Sequence, residues 1–348
     1  MHRLFALFVL WFSQSSCYTI EQAYHFNNAF NSRVRVDGAL SAKELSPDLR
    51  HKLELSRQVL TFARSQGLNT GDAYQHFIPE ANAQVSHLVQ AAYADRLEAV
   101  TWWFPVVGTV PYLGYFEKER RDAKAESLRR QGYDVSLGSV GAFSSLGWFD
   151  DPIYASMMKR SDEEFVQMIL HELVHRSFWS KGSVTFNENL AEFVSIKLTQ
   201  VFLEENKAGA GIEGLKLQRE DQVQVRRWLE SMKSALQDIY VRNDLSHDEK
   251  LREKNRVIAE FKEQKFPALK TSAYTYWKLK DWNNASILGA SLYSPDIAGF
   301  ERAAGCLGAF QAGRFLDDLK TAEKQAESAD LALEKMCSSS FAAARQGH

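Results

Sequence analysis

The sequence carries no charge excess of either sign: 42 lysines and arginines stand against 44 aspartates and glutamates. Without a basic surplus it cannot neutralise a run of phosphates, so nucleic acid is not an expected partner. No apolar run approaches the roughly 20 residues that a helix needs to cross a bilayer core, which sets aside a transmembrane anchor. Internal repeats, heptad arrays and low-complexity tracts are missing too, and with them the usual signs of a scaffold. Cysteine is scarce, at positions 17, 306 and 337 alone.

What is present is ample apolar material. With 45% hydrophobic and 12% aromatic residues, 348 residues can bury a sizeable core, in two ordinary domains or one elaborate unit. The start of the chain has the layout of a signal peptide: His2 and Arg3, an apolar stretch from Leu4 to Phe12, then small or polar residues. Ser15-Ser16-Cys17 is similar to the end of a bacterial lipoprotein signal, although Gln14 stands where leucine is usual. Residues 1–16 are therefore expected to be removed, leaving Cys17 as a lipidated N-terminus that anchors the protein to a membrane on the periplasmic side of a bacterial cell envelope. The alternatives are an ordinary secreted protein cleaved nearby, or a buried cysteine in an uncleaved segment. Cys306 and Cys337 then remain as a pair that an oxidising compartment could close, which their separation in sequence neither requires nor forbids.

Residues 18–348 are expected to form one unit: a helical N-terminal part (18–100), a catalytic core (101–206) and a helical C-terminal part (207–348). Ser46-Pro47 reads as a helix start, and Leu49, Leu53, Val59, Leu60 and Ala63 recur at helical spacing until Gly67. The aromatic, proline and glycine residues from Thr101 to Phe116 suggest a buried irregular segment, followed by a charged helix from about Glu117 to Gln131. The valines, serines and glycines from Tyr133 to Phe149 predict one or two short strands. Further on, Val225, Trp228, Leu229, Met232, Leu236 and Ile239 keep a helical period, and a Ser246/Glu249 capping box opens another helix toward Phe266.

The most informative stretch runs from Ser161, an N-cap candidate with Glu164 three residues on, into His171-Glu172-Leu173-Val174-His175. Residues four apart share a helix face, so both imidazoles can reach one Zn²⁺ while Glu172 points to a water as general base. Catalytic zinc usually takes a third protein ligand and keeps a position open. Glu188, in Phe186-Asn187-Glu188-Asn189 at the head of a second predicted helix, is the natural third ligand. Glu192, one turn on, is placed to accept a hydrogen bond from the far nitrogen of a ligating histidine. Structural zinc is disfavoured because closed sites lean on cysteines, and none lies near this motif.

These residues carry a resemblance. The chain resembles the putative aminopeptidases, zincin-fold HExxH zinc lipoproteins of Gram-negative bacteria. It does so through Trp103-Phe104-Pro105 to Gly114-Tyr115-Phe116, Gly141 to Pro152, His171 to His175, Phe186-Asn187-Glu188, and Asn283-Asn284-Ala285 with Tyr293. The resemblance implies the glutamate-zincin arrangement, in which the Asn-Glu pair after HExxH supplies the third ligand, here Glu188. It also brings out departures: similar chains tend to have cysteines where this one has Trp103 and Thr109, and arginine where it has Leu113.

The fold expected is therefore α+β and predominantly helical, a zincin-like unit with a small sheet and two metal-bearing helices. The expected function is that of a zinc-dependent metallopeptidase with one Zn²⁺ per chain and a peptide substrate, an aminopeptidase on the strength of the resemblance. Tyr293 is the candidate donor to the oxyanion, and Gly141, Ala142, Phe143 and Ser144 form a candidate strand to align an extended peptide. The rival reading is a non-catalytic envelope lipoprotein that binds peptides or cell-wall fragments through a metal-shaped site. Retention of Glu172 speaks against it, since binding needs no general base. Oligomeric state is not legible.

Overall fold

A computed structural model describes residues 33–42, 45–78, 86–104, 108–140, 151–292 and 296–338. Cys17, Gly141 to Ser144 and Tyr293 lie outside the described residues. In chain order the elements are β1 (Val34–Arg35), α1 (Val36–Leu40), α2 (Pro47–Ser65), β2 (His76–Ile78), β3 (Ser86–Ala92), β4 (Trp102–Phe104), β5 (Gly108–Val110) and β6 (Leu113–Tyr115). There follow α3 (Lys118–Arg130), β7 (Asp134–Val140), β8 (Ile153–Tyr154), α4 (Asp162–Ser177), α5 (Val184–Glu205), α6 (Gly209–Tyr240) and α7 (His247–Glu263). The chain continues through α8 (Asn284–Leu292), α9 (Ala298–Leu307), α10 (Ala312–Glu323) and α11 (Ala329–Lys335), with short 3₁₀ turns at Ala155–Lys159 and Thr275–Lys278. The architecture is α+β and predominantly helical, and its sheets are small.

The strands form three separate ladders, in the orders β1-β2-β8, β6-β3-β7 and β4-β5. β3 and β7 run antiparallel in register from Ser86 opposite Val140 to Ala92 opposite Asp134. Among the described residues, β7 is an edge of its sheet. The stretch from 101 to 116, expected to be irregular, instead supplies three short strands, with Trp103 directly opposite Thr109 and its indole 69% exposed. The part expected to be helical, 18–100, also contributes β1, β2 and β3. The misreadings have two causes: strands of two or three residues are too short for alternation to show, and seven-residue β3 pairs with a segment some forty residues away.

The largest core gathers around α4 and α5. Phe165, Ile169, Leu170, Leu190, Phe193 and Val194 are fully buried there against α2 and the C-terminal helices. α6 and α7 close a second core through Leu229, Met232, Leu236 and Phe261. The third lies between the β3 sheet and α3. Four helix starts carry a side-chain cap: the hydroxyls of Ser46, Ser161, Ser246 and Ser328 each accept from a backbone N–H three residues on.

Three long-range joints fix these layers. Asn284, fully buried, donates to the carbonyls of Tyr93, Ala94 and Arg96, while its own N–H binds Asp134 and the Tyr240 hydroxyl donates to its side-chain oxygen. Lys254 completes the hub, its Nζ 2.9 Å from Asp134. Elsewhere Gly313 N–H donates to the Gln66 carbonyl at 2.9 Å. A Cβ on Gly313 would lie 2.9 Å from the Gly67 Cα, so only glycine lets these backbones meet. Cys306 and Cys337 are joined in a disulfide with Cα atoms 5.2 Å apart.

Candidate metal centre

α4 is amphipathic in the sense the site needs. Phe165, Val166, Ile169, Leu170, Leu173 and Val174 face the core, which leaves His171 and His175 on one remaining face. Its N-terminus carries the predicted capping box, with Glu164 N–H on the Ser161 hydroxyl and Ser161 N–H on the Glu164 carboxylate. Asp162, at the first position, is held by Lys52 and His51 of α2, each 2.6 Å away. The helix that presents HExxH is thereby fixed to the N-terminal layer.

The turn to α5 shows what each residue of Phe186-Asn187-Glu188 does. Gly182 takes φ 80°, the left-handed value that glycine favours. Asn187 latches the turn from both sides: its side-chain oxygen accepts from Ser180 N–H at 2.8 Å and its amide donates to Ser180 C=O at 2.7 Å. Phe186 packs against Phe178 and Phe300. With these two neighbours fixed, Glu188 faces α4.

The three sequence-predicted ligands come together. His171 Nε2 lies 3.4 Å from Glu188 Oε2, and His175 Nε2 lies 3.6 Å from Glu188 Oε1. One ligand atom from each of the three sits within 4.8 Å of the others. Donors held tetrahedrally at zinc distances are roughly 3.3 Å apart, so the spacing suits a first-row divalent ion. The imidazole rings are nearly perpendicular, 85°, with centroids 4.8 Å apart. Behind them, Glu192 Oε2 is 3.7 Å from His171 Nδ1, the outer partner expected from the sequence. His175 differs: its buried Nδ1 has no hydrogen-bond partner among the described residues, and the ring stacks edgewise on Trp179.

Electrostatics follow from this crowding. Burial pushes the Glu188 carboxyl up, but His171 and His175 outweigh it and leave its pKa below the ordinary value. The same opposition, resolved by His171 and Gln222, depresses Glu192. Burial and the neighbouring His171 push His175 down to about 4. Neutral His175 and ionised Glu188 are the states a divalent ion requires of such ligands; burial lowers His171 too, but Glu188, Glu192 and Glu172 outweigh it and raise it well above the ordinary imidazole value, so a bound ion would displace a proton there.

A cavity of about 300 Å³ opens over the centre, with Met168, His171, Glu188, Glu192, Gln222 and Tyr274 among its lining. A larger one, about 610 Å³, takes in Gln90, Pro111, Thr185, Asn189 and Ser291. Thr185 and Asn189 are one turn apart on α5, as are Glu188 and Glu192, so the cavities lie against two faces of the same helix.

Sequence reasoning missed three side chains. Tyr112, half-buried beside Pro111, has a phenol raised to about 12 by burial and then by the charges of Glu188 and Glu172. It stands within the stretch that carries the resemblance, so a signal for it existed. Gln222 and Tyr274 come from α6 and the segment after α7, and no local pattern marks either.

A family model described as putative aminopeptidase matches residues 17–329. The chain belongs to this family. No curated protein and no solved structure matches it. For a member of the putative aminopeptidases, the match spans every element from β1 to the start of α11, so α4 and α5 with their histidines and glutamates fall inside it. Membership points to a hydrolase acting on peptides.

Proposed function

We propose that this putative aminopeptidase is a zinc-dependent, zincin-like peptidase that releases N-terminal residues from peptides. The observation that carries the proposal is the convergence of His171 Nε2, His175 Nε2 and the Glu188 carboxylate within one ion's reach, with Glu192 behind His171. Zinc held by these three would supply Lewis acidity, activating a water and polarising the scissile carbonyl. Glu172, next to His171 on α4 and half-buried, takes the water's proton and returns it to the departing amine. Tyr112, whose phenol is raised by burial and then by the charges of Glu188 and Glu172, is the candidate donor to the oxyanion in the role expected of Tyr293. The segment from Gly141 to Ser144 follows edge strand β7, where an extended peptide could add as a further strand. Lipidation of Cys17 would tether the enzyme to a membrane of the cell envelope.

The test is metal content and turnover measured together. Purified wild type should hold about one zinc per chain and cleave unblocked aminoacyl reporters. Glu188→Ala should lose the metal. Glu172→Gln should keep it while turnover falls by about 10²–10⁴-fold, the usual worth of a general base. Zinc without cleavage of any peptide, blocked or unblocked, would favour the metal-shaped binding protein, and a chain that takes up no zinc would end the proposal.

A further inference from the structure

Glu192, whose carboxylate lies 3.7 Å from His171 Nδ1, opens a hydrogen-bond chain that runs in a direction no motif indicates. Gln222 on α6 is 7% exposed, so its amide is desolvated and must be satisfied within the protein. It donates through Nε2 to Glu192 Oε1 at 2.9 Å and accepts through Oε1 from Arg219 Nη1 at 2.6 Å. We infer that Gln222, locked by Arg219, is a positioning residue of the metal centre: it holds the Glu192 carboxylate in the attitude that fixes which nitrogen of His171 faces the metal.

The direction of the amide is not arbitrary. A glutamine side chain can be turned end for end with little change of shape, but a guanidinium has donors only. Arg219, three residues before Gln222 on the same face of α6, therefore takes the oxygen end and leaves the NH₂ end for Glu192. With Oε1 of Glu192 engaged, Oε2 is the atom left toward His171 Nδ1, 3.7 Å away. A proton on Nδ1 directed there leaves the lone pair on Nε2, the nitrogen that lies 3.4 Å from Glu188. The neutrality of the spacer matters as well. A cation in direct contact would draw Glu192 away from His171, and a carboxylate would repel it; an amide orients Glu192 and leaves its charge intact. His175 has no such partner on Nδ1 among the described residues and packs on Trp179 instead, so within the histidine pair the relay acts on His171.

The inference rests on the zinc reading and is tested on the full chain loaded with zinc, by the rate at which a chromogenic chelator removes the metal. Gln222→Met keeps the length and removes both hydrogen bonds; Arg219→Met frees the amide to turn; Gln218→Met alters the same cavity wall as a control. Zinc should leave Gln222→Met about 10-fold faster or more, the scale typical of outer-shell partners. Arg219→Met should shift the same way by less, and Gln218→Met should match wild type. A wild-type release rate in a folded Gln222→Met overturns the inference; if that variant does not fold, a wild-type rate in Arg219→Met overturns it. Should wild type take up no zinc, the peptidase reading fails, and crystal structures of the metal-free chains decide the inference separately: a Glu192 carboxylate turned away from His171 in Gln222→Met sustains it, and the wild-type attitude retained overturns it.

Discussion

Tyr112 is the residue whose removal separates chemistry from binding most cleanly. Its phenol is kept neutral, raised to about 12 by burial and the nearby Glu188 and Glu172, so at neutral pH it is a donor. Tyr112→Phe deletes one hydroxyl and no ring. If the hydroxyl meets the oxyanion, kcat should fall by about 10²–10³-fold with zinc content and KM close to wild type. An unchanged kcat would return the role to another group. The residues of the centre differ in how far the sequence reveals them. His171, His175, Glu188 and Glu192 are legible because each pair sits one helical turn apart, so the contact is written locally. Gln222 is not, since it meets Glu192 across 30 residues and a glutamine on an amphipathic helix reads as solvated surface.

At the scale of elements, α4 is held at its N-terminus by more than its cap. Lys52, almost wholly buried, donates to Asp162 and to the Arg160 carbonyl. Burial raises the Asp162 carboxyl, but Lys52 and His51 prevail and hold it below the usual carboxylate range. A depressed carboxylate adds stability that is present above its unfolded pKa, about 3.9, and is lost as pH falls through its lower folded value. Asp162→Asn should thus lower stability near neutral pH, by about 1 kcal/mol, because the carboxylate is 47% exposed and partly screened. The gap from wild type should narrow in acid, as followed by denaturant unfolding across pH 7 to 3. A gap constant with pH would mean that the pair contributes nothing through charge. The helices themselves were readable from periodicity and caps: α2, α3, α4, α6 and α7 begin within a few residues of the expected points or contain the expected run. The strands β4, β5 and β6 were not, since three residues give no period, and what makes them strands is a partner elsewhere in the chain, β4 and β5 each other's and β3 that of β6.

Across the whole molecule, three cores meet at joints that no single element specifies. Asn283 and Asn284, which carry part of the family resemblance, serve the architecture: Asn283 binds the Val135 carbonyl and Asn284 ties the 93–96 turn to Asp134 and Tyr240. The disulfide is a second joint, between α9 and the end of α11. Its partners are 31 residues apart, and closing a loop of that length is worth about 3–4 kcal/mol in the chain-entropy picture. Replacing both cysteines by serine should lower the thermal midpoint by several degrees under oxidising conditions and make it insensitive to reductant, which calorimetry with and without dithiothreitol would read. Equal midpoints would show that packing alone holds these helices. The helical class was legible from composition and periodicity, but the joints were not, because each unites segments far apart in the chain.

The meeting of Gly67 with Gly313 sets an order of events. α2, whose residues Leu53, Val59 and Leu60 share the core with α4, is among the first helices to emerge from the ribosome. The backbone that clasps its end is made some 250 residues later. Contacts of such long reach form late and slowly. Until residue 313 arrives, the end of α2 lacks this clasp, and a copy interrupted before that point carries His171, His175 and Glu188 without it. The packing around α2 and α4 is thus completed only after the greater part of the chain exists.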